Sequence, residues 1–157
     1  MPMRIGDAMP RLDGATDWVN GSLETTEHRI KGKPTLVHFW AVSCGICKEK
    51  MPQLNEMKHR YGALGLQTIA VHMPRYESDT DLEKVYQAID ENNIAEPCAV
   101  DSMHRLKDAF QNEQGWVPVY YLFDDEGKLK TRAAGEYGIG VLKTALENMF
   151  AAKAAEV

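Results

Sequence analysis

Cysteine is scarce in this chain: Cys44, Cys47 and Cys98 are the only three in 157 residues. Three thiols cannot pair off into a disulfide framework, so the fold must rest on a hydrophobic core. A single domain of this length buries about two-thirds of the surface its unfolded chain exposes, which suffices without staples. Long apolar runs are missing too. The opening "MPMRIGDAMP" has no apolar leader, and no stretch of about 20 apolar residues follows that would span a bilayer. The chain reads as intracellular, with a cytoplasmic location as the expectation. Nor is there a basic excess: 18 Lys and Arg face 23 Asp and Glu, a formal net charge of −5. Nucleic acid and anionic membrane call for clustered positive charge and are poor partners. Repeats, low-complexity tracts and linkers are also lacking, so one domain over 1–157 is expected.

What is present is a regular alternation of patterns. Residues 1 to 34 are rich in Gly, Asp and Thr and read as irregular, with room for one small hairpin. "TLVHFW" (35–40) is a short β-branched and aromatic run, a buried strand. From Cys44 to about Tyr61 apolar residues recur at three- and four-residue spacing, with Pro52 inside as an expected kink. "LQTIAVHM" (66–73) is a second strand. A helix through Leu82, Val85 and Ile89 is entered by the capping residues of "SDTD". A short strand at Cys98, a short helix near Leu106, a hairpin turning at "DDEG" and a helix from Val141 to about Ala154 complete the chain. The order β-α-β-α-β-α-β-β-α predicts an α/β fold with a central mixed β-sheet flanked by helices.

Cys44 and Cys47 fall where the first of these strands gives way to a helix. The free N–H groups and positive dipole end of a helix favour a thiolate over a thiol. The spacing lets the two sulfurs meet without moving the backbone much. Cys44 is expected to be the exposed attacking sulfur and Cys47 the buried resolving one. Two other readings stand beside this redox couple. Zinc wants four ligands, whereas the pair supplies two, and His38, His59, His72 and His104 show no ligand spacing to it. A purely structural pair of thiols is the second. The strand-to-helix position within a βαβ pattern favours redox chemistry, and no metal or cofactor is expected. Cys98, in a predicted internal strand, reads as a buried structural thiol.

"VHFWAVSCGICKEKMP" resembles the active-site segment of the thioredoxin fold: Phe39, Trp40, Ala41, Gly45 and Pro52 match that family's pattern. "WVPVYYLFDDEGKL" is similar to the family segment whose cis-proline faces the disulfide, which points to Pro118, with Val117 offering backbone groups to an extended substrate chain. Residues 74 to 100 resemble the insertion of the TlpA/ResA-like branch of redoxins. The resemblance spans about residues 5 to 150. It implies a thioredoxin-like fold and a thiol-disulfide oxidoreductase. Its catalytic residues would be Cys44, Cys47, Pro118 and His38, and its substrate contacts Val117, Trp40, Ser43, Gly45 and Ile46. Its partners would be protein disulfides or dithiols and a thiol electron donor.

The segment departs from the pattern at four places. Ser43 replaces the usual Trp, giving a smaller and more polar rim. Ile46 replaces Pro between the cysteines. His38 stands where thioredoxin has a buried Asp, and an imidazole with an ordinary pKa near 6.5 suits the proton of Cys47. Lys50 stands where ResA-like proteins carry Glu, and that role does not pass to Glu49. Two alternative functions follow. A peroxidase of the peroxiredoxin type would need Thr or Ser three positions before the reactive Cys, where this chain has Ala41. The other is a non-catalytic module that holds a metal or a partner.

Overall fold

The computed structural model describes residues 1–155. Its centre is β2 (Thr35–Trp40), all six residues of which are buried. It pairs in parallel with β3 (Gln67–His72), which pairs in parallel with β4 (Cys98–Val100). On its other side β2 pairs antiparallel with β5 (Val119–Phe123), which turns into β6 (Leu129–Ala134). With β1 (Asp17–Val19) the sheet has six strands in the order β1-β4-β3-β2-β5-β6. The thioredoxin-like arrangement that the resemblance implied is present.

Alternation along β2 assigns its two faces. Phe39 packs against Phe110 and Tyr121, with ring centroids 5.3 and 5.6 Å away. His38 and Trp40 point to the opposite face. That face is covered by α2 (Gly45–Gly62), whose Cys47, Met51, Leu54, Met57 and Tyr61 form one buried stripe. Tyr61 stacks on Phe150 of α5 (Gly138–Ala155) at 5.1 Å. The helix α2 runs unbroken through Pro52. The missing proline N–H leaves the carbonyl of Lys48 without its usual helical donor.

The N-terminal region differs from the expected irregular stretch. β1 pairs antiparallel with β4, and α1 (Leu23–Ile30) follows it. The Ser22 hydroxyl accepts from the Thr25 N–H while the Thr25 hydroxyl accepts from the Ser22 N–H. This reciprocal cap starts a helix whose sequence, "LETTEHRI", is too polar to show an apolar stripe. Three residues of strand are likewise too few to reveal alternation. The region between β3 and the cis-proline loop holds a 3-10 turn (Glu77–Thr80), then α3 (Leu82–Glu91), β4, and α4 (Arg105–Ala109). Asp81 caps α3, accepting from the Glu83 N–H at 3.0 Å. The hairpin turns as expected: Gly127 takes φ +74°, and Asp124 accepts from the N–H groups of Glu126 and Lys128. No helix among the described residues is long and apolar enough to cross a membrane.

Candidate active site

The site lies at the carboxyl ends of β2 and β3, where open α/β sheets expose loops to ligands. Cys44 is the N-cap of α2. It is joined to Cys47 by a disulfide with Cα atoms 5.3 Å apart, and the Cys47 N–H donates to the Cys44 sulfur at 3.0 Å. One of the orphan donors at the helix start is thus already aimed at the sulfur that would carry negative charge. The expected contrast between an outer Cys44 and an inner Cys47 is absent in this oxidised form, since both residues are 3% exposed. Tied together, the two sulfurs share one place in the core. Gly45 and Ile46 form the exposed outer edge of the turn.

Two loops flank Cys44. The first carries Trp116, Val117 and Pro118. The Val117–Pro118 bond is cis, as the resemblance implied. Continuing the β2–β5 register two steps past Phe39 and Val119 places Pro118 and Val117 across from Trp40 and Ala41. The Pro118 carbonyl accepts from the Gly135 N–H, and Trp116 is held through its N–H by the Asn112 side chain. Among the described residues, the N–H and C=O of Val117 have no hydrogen-bond partner. An extended chain could pair with them strand to strand.

The second loop was not anticipated from the sequence. The Val42 N–H donates to His72 Nε2 at 3.2 Å. The Ser43 N–H and hydroxyl donate to the two carboxylate oxygens of Asp79, at 3.0 and 2.7 Å. Asp79 also accepts from the N–H groups of Arg75 and Tyr76. Burial by itself pushes the Asp79 carboxyl up, but these donors and the nearby His72 outweigh it and hold the group below the usual carboxylate range. Burial takes the His72 pKa down to about 4. Asp79 sits inside the "SDTD" stretch, where capping was the visible signal. Its reach to Ser43, 36 positions away, depends on the path of the intervening chain.

His38 is buried, and its Nε2 lies 2.6 Å from Glu96. The other Glu96 oxygen accepts from Lys58 at 2.5 Å. Burial lowers the His38 pKa against the pull of Glu96. Burial raises that of Glu96, but His38 and Lys58 together bring it down to about 2. The ionised Glu96 thus accepts from both His38 Nε2 and Lys58, while burial disfavours the charged form of the imidazole. Trp40 does not form substrate surface. It is 1% exposed and meets His72 edge-on at 4.8 Å, because β2 is covered on both faces. Burial pushes the Cys98 thiol up to about 12, as befits an inert core cysteine. Among the described residues no group of three or more His, Cys, Asp or Glu is placed to hold a metal ion.

The redoxin family model matches residues 4–146. The thiol-disulfide oxidoreductase YkuV of Bacillus subtilis (strain 168) is 44% identical over 149 residues, covering 95% of this chain and 98% of that protein. The thiol-disulfide oxidoreductase ResA of Bacillus anthracis is 27% identical, over 85% of this chain and 72% of its own. A solution structure of a thioredoxin-like protein in the oxidized form superposes with a TM-score of 0.84 at 44% identity, covering 95% of this chain and 98% of that one.

Proposed function

The chain belongs to the redoxin family, and on that premise we propose that it is a thiol-disulfide oxidoreductase acting on protein partners through Cys44 and Cys47. The observation that carries this reading is the position of Cys44: N-cap of α2, disulfide-bonded to Cys47, beside a cis-proline loop with an unpaired backbone edge. In the reducing direction the Cys44 thiolate attacks one sulfur of a partner disulfide. That S–S bond breaks, and the leaving sulfur departs as a thiolate that takes a proton. The Cys47 thiol then loses its proton and attacks the Cys44 sulfur, which releases the second partner thiolate. The partner gains two electrons and two protons, and the Cys44–Cys47 disulfide forms. A dithiol donor restores the pair by the same exchange.

His38 is our candidate acceptor for the Cys47 proton. As a neutral ring with its Nε2 hydrogen given to Glu96 it would carry its lone pair on Nδ1, and the ring lies on the face of β2 that α2 covers. Val117 and Ile46 offer a partner chain its backbone edge and an apolar contact. The reducing direction fits a cytoplasmic setting, where the thiol pool keeps disulfides open. The peroxidase reading has little to support it: Ala41, three residues before Cys44, is buried and has no hydroxyl.

The test combines insulin-disulfide reduction with trapping. The wild type is expected to reduce insulin with dithiothreitol as donor. Cys47→Ser is expected to accumulate a mixed disulfide through Cys44, visible as a mass adduct that added thiol removes. Failure of both, with peroxide consumed instead, would replace this reading by the peroxidase one.

A further inference from the structure

Ser43, which replaces the usual tryptophan, is fixed from outside its own loop. Its hydroxyl donates to Asp79 and accepts from Arg75 Nε at 3.2 Å. Its carbonyl accepts from Arg75 Nη2 at 2.9 Å. The same arginine is tied to Asp79 through its backbone N–H at 2.9 Å, and its guanidinium lies over the Tyr76 ring, 5.4 Å from the centroid. An exposed arginine is usually free to sample many rotamers. This one is held at both ends, by its main chain and by its planar head, with two donors directed at the residue before Cys44.

We propose that Arg75 is a positioning residue of the exchange reaction: its guanidinium, fixed on the Ser43 carbonyl by the Asp79 clamp, is the positive charge that stabilises the Cys44 thiolate in the reduced protein. The proposal rests on Cys44 being the attacking sulfur. Its physical basis is the placement of a full charge on the hydroxyl and carbonyl of Ser43, the residue before Cys44, adding to the partial charge at the start of α2. Other charged or titratable groups on the elements that meet this turn include Asp79 and His72 on the same flank, Lys48, Glu49 and Lys50 on α2, and Glu136 next to Gly135, which donates to Pro118. The cis-proline loop, 115–119, contributes none. Asp79 is itself negative and would disfavour a thiolate if it acted by charge alone. In the clamp its effect has the opposite sign, because it holds Arg75 in place.

Arg75→Gln keeps amide donors for the Ser43 carbonyl and removes the charge. Arg75→Lys keeps the charge. The pH dependence of iodoacetamide alkylation at Cys44 of the reduced protein, followed by mass spectrometry, reads the thiolate directly. Arg75→Gln is expected to raise the apparent pKa by about one unit and to slow alkylation about tenfold below it. Arg75→Lys should recover most of the difference, and the shift should shrink at high salt. The loss of thiolate stabilisation should also make the couple more reducing, by about 30 mV for a tenfold change. Asp79→Asn is expected to raise the Cys44 pKa although it removes a negative charge. An unchanged alkylation profile in a folded Arg75→Gln protein would overturn the proposal, as would a lower pKa in Asp79→Asn. If the wild type alkylates at Cys44 but exchanges no disulfides, the functional reading fails and the role of Arg75 at the thiolate stands. If it exchanges normally and Arg75→Gln matches it, only the inference about Arg75 fails.

Discussion

The two flanks of the Cys44 turn are built on opposite principles. On the β3 side, His72, Arg75 and Asp79 close every polar group of Val42 N–H and Ser43 into hydrogen bonds within the protein. On the β5 side, Trp116 is 46% exposed and the backbone of Val117 has no partner among the described residues. The closed flank fixes the backbone that leads into Cys44. The open flank has unused backbone groups, which is what an incoming chain needs. The difference teaches that a polar residue beside the cysteines need not be a partner contact: Ser43 is exposed, yet its hydrogen-bonding groups are already taken.

That contrast yields effects of graded size. Breaking the closed flank should cost the most. Asp79→Ala removes the acceptor of four hydrogen bonds and leaves their donors short of partners, for an expected loss of about 3–4 kcal/mol. Thermal unfolding should show it as a Tm drop of about 10 °C.

Acid should weaken the same flank next. His72 has its pKa lowered in the folded state from 6.5 to about 4, so the unfolded chain takes up a proton first. Its contribution is complete above pH 6.5 and is lost as the pH falls towards 4, to an extent of about 3 kcal/mol. Protonation would also turn Nε2 from acceptor to donor against the Val42 N–H. Urea unfolding at pH 7 and pH 4.5 measures the loss, and His72→Gln should flatten the pH dependence over this window. Glu96 acts in a lower window, from 4.5 to about 2, so the two are separable.

The open flank should behave in reverse. Trp116→Ala is expected to change stability by no more than about 0.5 kcal/mol, as exposed positions do. It should raise the KM for insulin reduction about three- to tenfold while leaving thiolate reactivity at Cys44 unchanged. Equal losses in stability from Trp116→Ala and Asp79→Ala would erase the distinction between the flanks.

Most of the fold was legible because its signals are local. The buried run of β2, the stripe on α2, the Asp81 cap and the Gly127 turn all show within a few residues. So did the cysteine pair, and the cis-proline through the family pattern around it. β1 and α1 were not legible, since a three-residue strand and a polar helix gain their stability from β4 and from the Ser22–Thr25 cap. The site was half visible. His38 stood out by position, but its partner Glu96 is 58 residues away in sequence and Lys58 belongs to another element. Ser43 was expected to shape the rim, and its tie from the Cys44 turn to the 3-10 turn at Glu77–Thr80 was not legible. Trp40 fits the family motif yet serves the core, because the sequence of a central strand does not reveal how thoroughly its ends are covered.

The measurement that tests the central claim most directly is the equilibrium of the Cys44–Cys47 pair against glutathione redox buffers, with Cys44→Ser as the control. A two-electron transition that vanishes in the control is predicted, with a midpoint of about −270 mV for a reductant of the thioredoxin kind. If no disulfide forms between Cys44 and Cys47 at any ratio of oxidised to reduced glutathione, the pair is not a redox couple and the account is contradicted.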